Sequence, residues 1–100
     1  MPRYFLSEKA VDDLSNIWEY TYDNWSEKQA DIYYGHLINA CLDLSKAPHK
    51  GKSYYHILPG IMGVASGSHI IFYQIIDAGD IVIVRILHER MDARTLFAEK

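Results

Sequence analysis

Two hydrophobic rhythms divide this chain. In the first half apolar side chains return at helical spacing: Val11, Leu14, Trp18, Tyr22 and Trp25 recur at intervals of three and four, one face of a helix. Ser7 stands where an N-cap is needed, and Glu8, Asp12 and Asp13 suit the positive end of the helix dipole. Ser26-Glu27-Lys28-Gln29 reads as a capping box that opens a second helix. On that helix Ala30, Tyr34, Leu37, Cys41 and Leu44 share a face, and Pro48 disfavours helical geometry in the residue before it. So short a turn between the helices predicts an antiparallel hairpin, with its aromatic residues read as core. Ahead of it, Arg3 to Leu6 is a short edge-strand candidate.

The second half carries strand patterning. Gly51, Pro59-Gly60, Ser66-Gly67-Ser68 and Ala78-Gly79-Asp80 punctuate strand candidates at 53–58, 61–66, 69–76 and 80–88. The last two are apolar on both faces. The helical hairpin can cover one face, and only residues 93–100 remain to cover the other. Along the last strand Ile81, Ile83 and Arg85 share a side, and the charge points to that side as the open one. The expectation is therefore one α+β domain over residues 1–100: an N-terminal strand, an α-helical hairpin, then an antiparallel sheet with a short C-terminal extension.

Composition narrows the function classes. One hundred residues support a single core. No apolar run is long enough to span a membrane. The start, Met1-Pro2-Arg3-Tyr4, lacks the pattern of a signal peptide. The single cysteine, Cys41, falls on an apolar helix face, reads as a packed thiol, and suits a reducing cytoplasm. Residues 1–45 hold three basic against eight acidic side chains, and residues 46–100 seven against five. A net charge of −3 argues against broad binding of a phosphate backbone. His49, His56, His69 and His88 show no zinc-ligand spacing, so no metal and no cofactor are expected.

The chemistry gathers at the end of the last strand, where Ile81-Val82-Ile83-Val84-Arg85-Ile86-Leu87 runs into His88-Glu89-Arg90-Met91-Asp92. A strand end presents ionisable side chains from a rigid support, which suits recognition. At this point the order of elements and the local motifs resemble the ParE-type toxins of the RelE/ParE superfamily. The likeness rests on Tyr4-Phe5-Leu6-Ser7 with Ala10 and Asp13-Leu14, Tyr20-Thr21 with Trp25, Gln29-Ala30 with Tyr33, and Pro48 with Gly51-Lys52. It continues through Pro59-Gly60, Gly67-Ser68-His69-Ile70-Ile71-Phe72-Tyr73 and Arg85-Ile86-Leu87-His88-Glu89-Arg90-Met91-Asp92. The stretch from Ile86 to Asp92 is the most specific part.

That resemblance implies a toxin that poisons DNA gyrase by binding, with no chemistry of its own, and that is silenced by a ParD-like antitoxin. It implies contact with operator DNA only through the antitoxin. Arg85, His88, Glu89, Arg90, Met91, Asp92 and Arg94 are the expected gyrase-binding residues, and Trp18, Tyr22, Ile81 and Ile83 the expected antitoxin-binding ones. Two alternatives stand beside it. A RelE-like ribonuclease would assemble His69, Tyr73, Arg85, His88 and Arg90, but no Arg or Lys lies between Ser53 and Val84 to meet transition-state charge. An inactive relic acting only as an interaction module is the other, because Met62 departs from the arginine that commonly follows the Pro-Gly pair in such toxins.

Overall fold

A computed structural model describes residues 3–98. The N-terminal reading at Met1-Pro2 and the last two positions of the 93–100 extension lie outside the described residues. The chain begins with strand β1 (Tyr4–Leu6), followed by helices α1 (Glu8–Asn24) and α2 (Glu27–Lys46). A 3-10 turn at Pro48–Lys50 leads into β2 (Lys52–Ser53), then β3 (Met62–Ser66), β4 (His69–Ile75), β5 (Ile81–His88) and a short helix α3 (Ala93–Ala98). The sheet order is β1-β5-β4-β3-β2. Strands β2 to β5 pair antiparallel as expected, whereas β1 joins β5 in parallel, aligning Tyr4 with Ile81 and Leu6 with Ile83.

The helix starts follow from their caps. Ser7 Oγ accepts the Ala10 N–H at 3.0 Å and donates to the Val84 carbonyl at 2.7 Å, so one hydroxyl both opens α1 and covers β5 where β1 stops. Ser26 Oγ accepts the Gln29 N–H at 3.0 Å. α2 ends at Lys46, just before Pro48. The helix-side core comprises Ala10, Leu14, Leu37, Cys41 and Leu44 against Ile71, Tyr73, Ile81, Ile83 and Ile86.

Four expectations are corrected. The buried face of α1 is Ala10, Leu14 and Thr21, rotated from the one read in the sequence; Val11, Tyr22 and Trp25 are exposed. Tyr34 on α2 is also exposed, and Tyr33 is the ring that packs against the core. The candidate strand at 53–58 is paired only at Ser53. Its remainder is a turn in which the Ile57 and Leu58 N–H groups donate to the Tyr54 carbonyl.

The fourth correction concerns the faces of β5. Ile81 and Ile83 are fully buried beneath the helices, so the side expected to be open is the covered one. Arg85 follows Ile81 and Ile83 onto that side by regular alternation; beyond Ile83 the register shifts, Tyr73 pairing with Ile83 but Phe72 with Arg85, a β-bulge that brings Ile86 to the helix side as well. The opposite face of the sheet is closed by a second cluster. There Ile61, Phe72 and Leu87 pack with Tyr54 and Ile57 of the turn and with Leu96 and Phe97 of α3. Phe97 meets Phe72 edge-to-face, with ring centres 5.2 Å apart.

Candidate functional site

An ion pair beside the bulge builds the floor of a groove. Arg85 reaches from β5 to α1, where Asp13 accepts from Arg85 Nε at 2.8 Å and from Nη2 at 2.9 Å. The same carboxylate accepts the Ile86 N–H at 2.9 Å. A bidentate Arg–carboxylate pair is strong and directional, and here it also satisfies a backbone donor on the side of β5 that β1 is too short to reach. Both side chains are largely shielded, at 16% and 12% exposure. Arg85, expected among the gyrase-binding residues, thus has its guanidinium engaged with α1 beneath the surface.

Above that floor lies a groove of about 920 Å³ between the turn end of the helical hairpin and the sheet end where β4 starts and β5 stops. Ile17, Tyr20 and Trp25 form its helical wall, Ile86 and Leu87 part of its sheet wall, and Met91 and Leu96 its C-terminal rim. Trp25 and Tyr20 are 77% and 66% exposed. Large aromatic side chains left open beside an apolar groove mark a surface suited to a partner.

Tyr33, His69 and His88 gather at one end of the groove. The Tyr33 hydroxyl lies 2.6 Å from His69 Nδ1 and accepts the Ser68 N–H at 3.1 Å. His69 and His88 are directly opposed across β4 and β5, with ring centres 5.3 Å apart and planes at 82°. Burial holds the His69 pKa below its ordinary value, and the neighbouring His88 lowers it further, against partial compensation from Asp13 and Glu89. Burial raises the Tyr33 pKa, partly offset by the Ser68 hydrogen bond. Gly67, at φ +58°, turns beneath the Tyr33 ring.

The expected recognition residues separate into distinct environments. Glu89, Arg90, Met91, Asp92 and Arg94 are exposed on the turn after β5 and the start of α3, while His88 lies partly buried at the groove. Asp92 is held below the usual carboxylate range chiefly by the Thr95 hydroxyl, which donates to it at 2.8 Å. Trp18 and Tyr22 stack at 5.3 Å on the outer side of α1, and Trp18 Nε1 donates to Asp31 at 3.0 Å. Ile81 and Ile83 lie beneath the helices and present no surface to an antitoxin.

Of the ribonuclease constellation, His69, Arg85 and His88 line the groove, whereas Tyr73 and Arg90 do not. The Tyr73 hydroxyl faces the helix side, donating to the Pro48 carbonyl at 2.6 Å and accepting the Gly51 N–H at 3.0 Å. Arg85 is on Asp13. Met62 packs against the helix-side core. Asp13, Tyr33 and the aromatic wall of the groove were missed as site residues. For Asp13 the helix-dipole explanation masked its long-range partner, and only the pairing of Gln29-Ala30 with Tyr33 in the family pattern pointed to the tyrosine.

The fold matches the chromosomal ParDE toxin–antitoxin system of P. aeruginosa with a TM-score of 0.74, at 17% identity, covering 88% of this chain and 95% of that one. It matches the toxin–antitoxin complex RelBE2 of Mycobacterium tuberculosis with a TM-score of 0.67, at 22% identity, covering 89% of this chain and 100% of that one. The family model for the ParE toxin of the type II toxin–antitoxin system parDE matches residues 4–93. Toxin ParE1 of Mycobacterium tuberculosis (strain CDC 1551 / Oshkosh) is 40% identical over 90 residues, which is 90% of this chain and 92% of that protein. Toxin ParE1 of Caulobacter vibrioides is 34% identical over 94 residues, 94% of this chain and 96% of that protein. The chain belongs to the ParE toxin family of type II toxin–antitoxin systems. Among the described residues no helix is long and apolar enough to cross a membrane.

Proposed function

We propose that this toxin inhibits DNA gyrase by binding, through the exposed turn from His88 to Arg94, and is neutralised by a ParD-like antitoxin that fills the groove. The observation that carries this reading is the juxtaposition of two surfaces of different chemistry. The turn offers Glu89, Arg90, Asp92 and Arg94 to solvent, which suits a polar recognition surface. The groove beside it is walled by Tyr20, Trp25, Ile17 and Leu96, which suits the apolar side chains of a segment that folds as it binds. Met91 and His88 border both, so an occupant of the groove would cover part of the turn. Trp18 and Tyr22 extend the aromatic surface of α1 for the same antitoxin. No chemical step is assigned to the chain, and the antitoxin alone carries contact with operator DNA.

The test is induction of the chain alone in bacteria, with DNA and protein synthesis pulse-labelled separately. Early loss of DNA synthesis with filamentation and an SOS response is expected. Early loss of protein synthesis with cleaved mRNA would replace this reading with the ribonuclease, and unimpaired growth would replace it with the relic. The double variant Arg90→Ala/Arg94→Ala is expected to lose toxicity while keeping its fold and its antitoxin binding. Full toxicity in that variant would remove the turn as the gyrase-binding site.

A further inference from the structure

His69 and His88 are far apart in sequence and are brought face to face only by the pairing of β4 with β5. Both line the groove, so both rings can be reached from solvent. Each ring has its Nδ1 already engaged: Tyr33 Oη lies 2.6 Å from that of His69, and the Arg90 N–H donates to that of His88 at 3.1 Å. The two Nε2 atoms are the nitrogens left for another partner. We propose that His69 and His88 form a two-histidine chelate for a late first-row divalent metal ion of the Zn2+, Ni2+ or Cu2+ kind, seated at the end of the groove.

The geometry supports this at three points. Two imidazoles whose nitrogens each sit about 2.1 Å from a tetrahedral metal have ring centres about 5.2 Å apart, taking about 1.1 Å from ring centre to nitrogen. The observed separation is 5.3 Å, so the strand pairing already holds the two rings within chelating reach and His88 has only to turn its Nε2 toward the ion. Imidazole nitrogen suits these ions, and a histidine that binds metal through one ring nitrogen is ordinarily oriented through the other by a hydrogen bond. Tyr33 supplies that bond to His69 and is itself fixed by the Ser68 N–H. With metal on Nε2 the His69 Nδ1–H donates to Tyr33, whose own hydroxyl hydrogen turns to the Ser66 carbonyl, 3.4 Å away.

His88 is the adjustable ligand. Its Nδ1 accepts from an exposed backbone amide, so aiming its Nε2 at the ion costs one solvent-replaceable hydrogen bond, after which the Arg90 N–H turns to water. Water completes the coordination, because among the described residues no three His, Cys, Asp or Glu side chains gather into a metal-binding group. The inference stands independently of whether gyrase is the target.

The experiment is a titration of the purified full chain, free of any histidine tag, with ZnCl2, followed by calorimetry and by NMR of the histidine ring nitrogens. One equivalent is expected to bind, with the Nε2 resonances of His69 and His88 shifting together. His69→Gln and His88→Gln should each abolish that equivalent, whereas His56→Gln, on an exposed residue, should leave it unchanged. Tyr33 is a positioning residue here, and Tyr33→Phe should weaken binding about tenfold. Retention of the equivalent in either glutamine variant would overturn the chelate. Should those variants fail to fold by circular dichroism, the unsubstituted chain decides: ring nitrogens of His69 and His88 unmoved by Zn2+ would overturn it equally.

Discussion

The Asp13 carboxylate gives the sharpest handle on this fold. Replacing it by alanine removes three acceptor contacts at once, to Arg85 Nε, Arg85 Nη2 and the Ile86 N–H. Breaking one side of a buried ion pair costs about 3–5 kcal/mol. The pair here forms the floor of an open groove, so water can reach the guanidinium after substitution, and the lower end, about 3 kcal/mol, is expected. For a domain of this size that corresponds to a fall of roughly 15 °C in Tm. Urea and thermal unfolding followed by circular dichroism would read it. Asp13→Asn keeps an oxygen for the Ile86 N–H while losing the charge, and should fall between the wild type and Asp13→Ala. A double-mutant cycle with Arg85→Ala should return a coupling of about 2 kcal/mol. A loss below about 1 kcal/mol for Asp13→Ala, or additive effects in the cycle, would refute the structural role given to Arg85. The residue would then return to the gyrase-binding surface on which the sequence placed it.

Three further outcomes are expected. Gly67→Ala forces a left-handed φ on a residue with a side chain and drives its Cβ to within 2.7 Å of the Tyr33 ring, costing about 2 kcal/mol or more; an unchanged urea midpoint would contradict the packing of the β3–β4 turn. Tyr73→Phe leaves the Pro48 carbonyl and Gly51 N–H without the hydroxyl between them, costing about 2 kcal/mol, and recovery of full stability would show that water replaces it. Burial pushes the Cys41 thiol from 9.0 up to about 11, so the folded chain favours the protonated form. Its contribution to stability is whole below pH 9 and is lost as pH rises from there through about 11. Alkylation of Cys41 at pH 8.5 should therefore be slow until denaturant is added, and rapid labelling of the native chain would contradict its burial.

How far the sequence carried the fold depends on what each element's pattern encodes. Caps are local, so Ser7 and Ser26 announced both helices, and Pro48 announced the end of the second. The buried stripe of α2 was largely legible because Ala30, Leu37, Cys41 and Leu44 are unambiguous apolar residues. On α1 the large aromatics drew the eye to the wrong face. Trp25 and Tyr22 outweigh Ala10 and Thr21 in hydrophobicity, yet the small residues are what let α1 approach the sheet closely. Exposed aromatics of that kind signal a partner surface, a reading that periodicity alone cannot separate from a core face.

The strand parity held from Ile81 to Arg85 and failed at Ile86, for a more general reason. A period of two assigns every residue of a strand to a face only while the pairing stays regular. In β5 the extra residue at Val84 resets the count, so Ile81 and Ile83 before it and Ile86 after it all reach the helix-side core. Arg85 reaches Asp13 by the unbroken alternation from Ile81 and Ile83, and the neighbouring Ile86 N–H donates to the same carboxylate. The inserted residue thus decides that Ile86 joins the groove side, while the Asp13 carboxylate, by pairing with Arg85, lets a face that carries an arginine be the closed one. The register carries this information, and it becomes readable only when β4 is laid beside β5. The pairing that opposes His69 to His88 emerges in the same way, from strand neighbours rather than from spacing along the chain.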